Sequence, residues 1–317
     1  MLPLEPVFEL LVNNIRNRGF PFPVKKDICY KWAEELELPK GGETILYTSC
    51  LYQLVPYINA MAHWLETAEN SKFLRLGLKL LGKLPSLSSF STIIARPNHN
   101  EIKYFTEIPK IIAQTLLKMG INFGSLYEED IYSGALLFDL GLDNYFREHA
   151  LKVTGIFRKH GVRKVITLDP HTTYVLRKVY PEFVDEFDIE VVSYLEILSN
   201  RLDGEETSKK LTVTIHDPCL YARELGIIEE PREILRKLGV EIIEPKHNKI
   251  HTFCCGGPIE SIYPSMSKKI ATARLTELSQ YSKNIITLCP ICIANLGRYA
   301  PPDIKIHDIS QVIAGKI

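Results

Sequence analysis

Five cysteines stand close together in the C-terminal part of the sequence, in a pattern that metals use. Cys219 ends the run "KLTVTIHDPC". Cys254 and Cys255 directly precede Gly256 and Gly257, and Cys289 and Cys292 frame a Cys-Pro-Ile-Cys. Thiolates are the soft ligands of zinc and of iron–sulfur clusters. A tetrahedral zinc takes four of them, so five suit a larger inorganic core. The paired glycines supply a backbone free to wrap around such a core. Seven cysteines in all, an odd number with five between positions 219 and 292, read as a metal site rather than a disulfide framework.

The stretch that carries the Cys-x-x-Cys has a counterpart earlier in the chain. "ITLCPICIANLGRYAP" begins at Ile286, and "ITLDPHTTYVLRKVYP" begins at Ile166. Asp169 and Thr172 occupy the places of Cys289 and Cys292. The elements around the two stretches repeat as well. "ETILYTSC" (43–50) reads as a strand ending at Cys50, and "KLTVTIHDPC" (210–219) as a strand ending at Cys219. Helical patterns cover 58–84, 107–120, 142–161, 231–238 and 267–282. Further strands are expected at 163–168, 189–193, 240–244 and 284–288.

Strands alternating with helices predict an α/β fold of two pseudo-repeated lobes, each a Rossmann-like parallel sheet with flanking helices. Ligand loops then lie at the carboxyl ends of the strands, where Cys50, Cys219 and Cys289 fall. The expected organisation is a helical connecting segment at 1–42, a first lobe at 43–205 with a helical insertion around 58–104, and a second lobe at 206–317 with the five cysteines.

The 317 residues are 45% hydrophobic and 24% charged, enough for a large core. Lys+Arg and Asp+Glu both number 38, so no net charge points to nucleic acid as a partner. No apolar run approaches the roughly 20 residues of a membrane span. The start "MLPLEPVFELL" lacks a basic region ahead of its apolar residues, so a cytoplasmic location is expected. "SKFLRLGLKLLGKLPS" (71–86) sets Lys72, Arg75, Lys79 and Lys83 along one helical face beside a leucine stripe. Such a face can dock a partner or a membrane, or simply be solvated.

The combination "HDPC…CCGG…CPIC" resembles the cysteine-rich CCG domain. That domain occurs in the B component of heterodisulfide reductase, in one component of a succinate:quinone reductase, and in iron–sulfur subunits of glycolate, lactate and glycerol phosphate oxidation. Outside roughly 58–104 the likeness extends along the chain, through "NIRNRGFPFPVKKDICYKWAEELELPKGGETILYTSC", "KMGINFGSLYEEDIYSG" and "ITLDPHTTYVLRKVYPEF".

The resemblance implies one non-cubane [4Fe-4S] cluster on Cys219, Cys254, Cys255, Cys289 and Cys292, with a structural zinc as the alternative. It also implies that the first lobe has lost its site. Tyr132-Ser133-Gly134 stands for Cys-Cys-Gly, Asp169-Pro170-His171-Thr172 for Cys-x-x-Cys, and only Cys50 survives of five. Cys50 is expected as a lone buried thiol, His171 as a residue orienting its own loop, and a mononuclear site on Cys50, Asp169 and His171 as a remote alternative. Leu220 and Pro258 depart from the family's usual His and Gly. Arg223 keeps its Arg, available to an anionic substrate, to cluster charge, or to a surface ion pair.

Three readings follow. In the first, the chain is an oxidoreductase subunit of a heterodisulfide reductase-like complex, moving electrons to or from a disulfide, thiol or persulfide substrate. In the second it is an electron relay in a 2-hydroxy acid or succinate oxidising complex, and in the third a zinc-stabilised scaffold. No Cys-x-x-Cys-x-x-Cys run precedes the repeat. A separate ferredoxin-like iron–sulfur subunit, and with it a flavoprotein, are therefore the expected partners. The segment 13–40, with Trp32 and "GFPFP", is the candidate docking surface.

Overall fold

The computed structural model describes residues 4–71, 97–202 and 211–317. The basic stretch around 72–83 and most of the expected insertion lie outside the described residues. The first part runs α1 (Leu4–Arg18), α2 (Asp27–Glu34), β1 (Thr44–Tyr47), α3 (Leu51–Asn70), α4 (His99–Lys118), α5 (Ala135–Asp139), α6 (Asp143–Lys159), β2 (Lys164–Thr167), α7 (Pro170–Tyr174), β3 (Glu190–Ser193) and α8 (Tyr194–Arg201). The second runs β4 (Thr212–Ile215), α9 (Glu229–Lys237), β5 (Glu241–Ile242), α10 (Pro264–Leu278), β6 (Asn284–Thr287), α11 (Pro290–Tyr299), β7 (Lys305–Asp308) and α12 (Ile309–Ile313).

The strands form two parallel sheets, ordered β1-β2-β3 and β5-β4-β6-β7. The protein is therefore α/β, with helices flanking both sheets, as the alternation predicts. The repeat extends to backbone detail. Gly134 and Gly256 follow the two paired positions with φ of +86° and +84°. Asp169 and Cys289 each end a strand turn with φ of −140° and −139° and are followed by a proline in the first helical position. Where β5 lies beside β4, the first sheet has, among the described residues, isolated parallel bridges, Ile45 with Gly124 and, just before β1, Lys40 with Ser125. A Cβ on Gly124 would come within 1.9 Å of the Gly41 carbonyl oxygen, so only glycine allows that close approach.

Side-chain alternation along each strand builds the core. Ile45, Tyr47 and Val165 face one apolar cluster, and Ile285 faces another that holds three of the cysteines. Leu46 and Ile166 from the first sheet join Val213, Ile215 and Ile286 from the second in a single cluster with Trp32, Ile112, Leu195 and Ile234. The two lobes thus share their largest core. Polar contacts reinforce the junction. The Tyr52 hydroxyl donates to Asp308 Oδ2 at 2.7 Å, and Arg298 on α11 reaches Asn59 Oδ1 on α3 at 2.9 Å. Trp32 and Phe20 are each 1% exposed. They are core residues, which corrects the expectation that they present a docking surface.

Candidate metal centre

Three loops at the carboxyl ends of β4 and β6 and before α10 bring the five thiols together. The first loop is fixed by a buried ion pair. Asp217 accepts from Arg232 at 2.8 and 3.0 Å, and it also accepts from the Lys249 backbone at 2.7 Å, tying the first loop to the second. Thr252 Oγ1 donates to the Asp217 carbonyl at 3.0 Å. The Cys254–Gly257 turn is held by Asn295 Nδ2 on the Cys255 carbonyl, 2.7 Å, and by Ser267 Oγ on the Gly256 carbonyl, 2.8 Å. Beyond its positive φ, Gly256 lacks room, since a Cβ there would meet the Ser267 carbonyl at 2.8 Å. Cys289 sits at the start of α11 and Cys292 in its first turn, where backbone N–H groups favour thiolate.

The sulfurs form one unbroken chain of contacts, from Cys219 to Cys254, Cys255, Cys292 and Cys289. None is in a disulfide. Cys255, Cys289 and Cys292 are buried, while Cys219 and Cys254 are half-exposed and form the outer edge. The chain cannot ionise uniformly. Hydrogen bonds from Cys219 and Cys255 bring the Cys254 thiol down to about 2. Burial opposes ionisation of Cys289, but hydrogen bonds from Cys292 and His171 outweigh it and bring that thiol to about 5. The donors on either side are pushed up in turn. Backbone N–H groups of Gly256 and Gly257 point at Cys254 Sγ and Cys255 Sγ, at 3.3 and 3.4 Å. Five clustered sulfurs, with Cys254 and Cys289 favoured as thiolates and Cys254 and Cys255 each receiving a glycine N–H, fit an iron–sulfur cluster.

His216, which the sequence reading passed over inside "HDPC", lies with its ring nitrogen, Cys255 Sγ and Cys292 Sγ all within 4.8 Å of one another. Arg274 Nε–H donates to His216 Nδ1 at 3.1 Å. Burial, then the Arg274 charge, lowers the imidazole to about 3 and keeps it neutral. With Nδ1 accepting, the proton sits on Nε2, a buried atom with no partner. His216 therefore sits beside the sulfurs of Cys255 and Cys292 with its Nδ1 engaged by Arg274 and its Nε2–H unpartnered among the described residues.

The first lobe keeps the shape of this site in hydroxyls. Ser133 Oγ and Thr172 Oγ1 lie 3.5 Å apart, and Ser49 Oγ accepts from the Ser133 backbone at 2.7 Å. Asp169 Oδ1 accepts from the Thr172 backbone at 2.9 Å, capping α7. Cys50 is not a lone thiol. It is joined to Cys29 of α2 in a disulfide. With Cys50 bonded and Asp169 capping, Cys50, Asp169 and His171 make no mononuclear site. His171 does more than orient its loop, because it contacts Cys289 and lies 3.7 Å from Asp139 Oδ2. Burial disfavours its imidazolium, yet Asp139 and the Cys289 sulfur more than compensate, so it is held protonated. Arg223 donates to the carbonyls of Ile250 and Thr252, which fastens the second loop, and it makes no ion pair among the described residues.

Residues 213–297, which include all five thiols, match the family model described as a cysteine-rich domain, CCG. This segment is a CCG domain. The chain around the CCG domain is 28% identical over 218 residues to the probable iron-sulfur-binding oxidoreductase FadF of Bacillus subtilis, covering 65% of this chain and 31% of that protein. It is 29% identical over 217 residues to the D component of the dihydromethanophenazine:CoB–CoM heterodisulfide reductase of Methanosarcina mazei, covering 64% and 53%. It is 27% identical over 228 residues to the EtfAB:quinone oxidoreductase of Syntrophomonas wolfei, covering 66% and 32%. The chain thus spans a third to a half of the length of these relatives. All three are named as oxidoreductases or a component of one, and the first as iron-sulfur-binding. Among the described residues, no helix is long and apolar enough to cross a membrane.

Proposed function

We propose that the chain is a cytoplasmic subunit of a heterodisulfide reductase-like complex. In this reading it holds one non-cubane [4Fe-4S] cluster on Cys219, Cys254, Cys255, Cys289 and Cys292 and handles a sulfur substrate. The observation that carries the reading is the unbroken contact chain of five thiols, one more than a tetrahedral zinc takes. When bound, the cluster would supply one-electron transfer and an iron open to sulfur. The rest of the chemistry falls to the chain. Gly256 and Gly257 N–H groups donate to the sulfurs and offset their negative charge, and the unpartnered His216 Nε2–H would be available to the cluster. Buried Cys255, Cys289 and Cys292 keep water from the inner side. The protonated imidazole of His171, backed by Asp139, is placed to give up a proton beside Cys289.

Cleaving a disulfide takes two electrons and two protons, and a second cluster facing the first would share that work. The first lobe offers hydroxyls and a disulfide instead. Sustained turnover should therefore need an iron–sulfur partner subunit, with a flavoprotein behind it.

The test is anaerobic reconstitution followed by iron and sulfide analysis and electron paramagnetic resonance, with and without a thiol. About four irons with matching sulfide, and a signal that changes on adding thiol, would support the reading. Stoichiometric zinc without sulfide would replace it with the scaffold, and a cluster signal indifferent to thiols with a relay. Replacing Cys254 and Cys255 together by Ser should abolish iron binding, whereas Cys50→Ser should leave iron content unchanged.

A further inference from the structure

A cavity of about 170 Å³ opens between α1, α3 and the two pseudo-equivalent loops. Leu10, Met61, Trp64 and Leu65 line it. So do Gly257, whose N–H points at Cys255 Sγ, and His171, which touches Cys289. The cavity is thus largely apolar and is separated from two of the thiols by single residues that touch them. For scale, an engineered cavity of about 150 Å³ takes up benzene.

Its polar groups define what it accepts. Among the described residues, no lysine or arginine lines it. Its charged groups are His171 and Asp139, which face each other at 3.7 Å, and Glu260, which is paired with Arg298 at 2.7 Å. Arg223, the cation that a sequence reading offers to an anionic substrate, is committed to the carbonyls of the second loop. A sulfonate, phosphate or carboxylate entering here would lose its water and meet, among the described residues, only cations already engaged by carboxyl groups, His171 by Asp139 and Arg298 by Glu260. Asn14 Oδ1 and Ser261 Oγ also line the cavity and are buried without partners. They offer hydrogen bonds to an uncharged polar group.

Resting on the sulfur-substrate reading above, we infer that the substrate of this site is a neutral thiol or disulfide with an apolar chain. The chain occupies the passage between α1 and α3, and the sulfur lies at the CCG loops. Anionic thiol coenzymes are disfavoured, because among the described residues no uncommitted cation would offset their desolvation.

The test compares 1-hexanethiol with 6-mercaptohexanoate, which have the same run of methylenes and differ in the terminal charge. Binding to the cluster-loaded full chain is measured anaerobically by calorimetry at pH 7.5. The neutral thiol should bind tighter on the order of tenfold or more, the carboxylate paying for desolvation without a partner. Half-buried Leu10 replaced by Lys should narrow or reverse the preference by supplying the missing cation. Equal or tighter binding of the carboxylate to the unaltered protein, or no binding of either thiol, would overturn the inference. The cluster signal, read in parallel, separates this inference from its foundation. Selective binding with an unchanged signal would refute the sulfur reading and leave the cavity's selectivity standing. Equal responses of the signal to both thiols would uphold the sulfur reading and refute the apolar substrate.

Discussion

Arg274 settles which nitrogen of His216 carries the proton, and it is itself held by Glu277 at 2.7 Å and by the His247 carbonyl at 3.0 Å. An N–H directed at cluster sulfur stabilises the more reduced, more negative state. His216→Leu should therefore lower the midpoint potential while iron content holds, whereas His216→Gln should retain part of the effect. A redox titration of the two variants against the unaltered protein checks this, and equal potentials would dismiss the N–H bond. Asp130 offers a second test at this scale. Burial pushes its carboxyl up to about 7, against hydrogen bonds from Thr48 and Ser49. In the unfolded chain it titrates near about 3.9. The folded state keeps the proton to higher pH, so this contribution to stability is complete below about pH 4 and fades as pH rises through 7. Asp130→Asn should flatten the loss of stability between pH 5 and 8, a difference of a few kcal/mol in denaturant titrations.

At the scale of elements, much is legible because each strand pairs an apolar run with turn chemistry just beyond it. "VITLDP" and "IITLCP" announce both the strand and the proline-led helix. β7 escapes the pattern. Its four residues, "KIHD", carry charge at both ends, and only Asp308 is fully buried. The helix expected from 58 begins instead at Leu51 and runs through Pro56. The five cysteines are legible from spacing alone. Two features of the site are not. Cys29 belongs to α2, and only tertiary packing sets it beside Cys50. His216 is hidden because the decisive fact, the Arg274 bond, joins positions far apart in sequence. Gly256 tests the turn itself. Gly256→Ala should impair iron loading through its positive φ and the Ser267 carbonyl, a cost on the order of 1–3 kcal/mol, while leaving the first sheet intact by circular dichroism.

For the whole molecule, the decisive feature is the apolar cluster that both sheets enter. Buried residues from the two lobes stabilise each other, so the lobes should not unfold separately. Ile286→Ala, in the second sheet, should cost roughly 2–5 kcal/mol. It should shift the unfolding of both halves together, and two resolved transitions in calorimetry would show the lobes to be independent. The thiol-poor half has a different consequence. Its turn, its helix cap and its strand ends keep the form of the working half, with Tyr132, Ser133, Asp169 and Thr172 standing where thiols stand in the other. The two halves differ in chemistry and not in scaffolding, so the thiol-poor half is a ready-made blank for engineering. Four cysteines written into those positions, with Cys29→Ala to release Cys50 from its partner, would offer a second five-thiol set on an already shaped backbone. Iron uptake by that variant would measure how far a lobe can be re-armed by side chains alone.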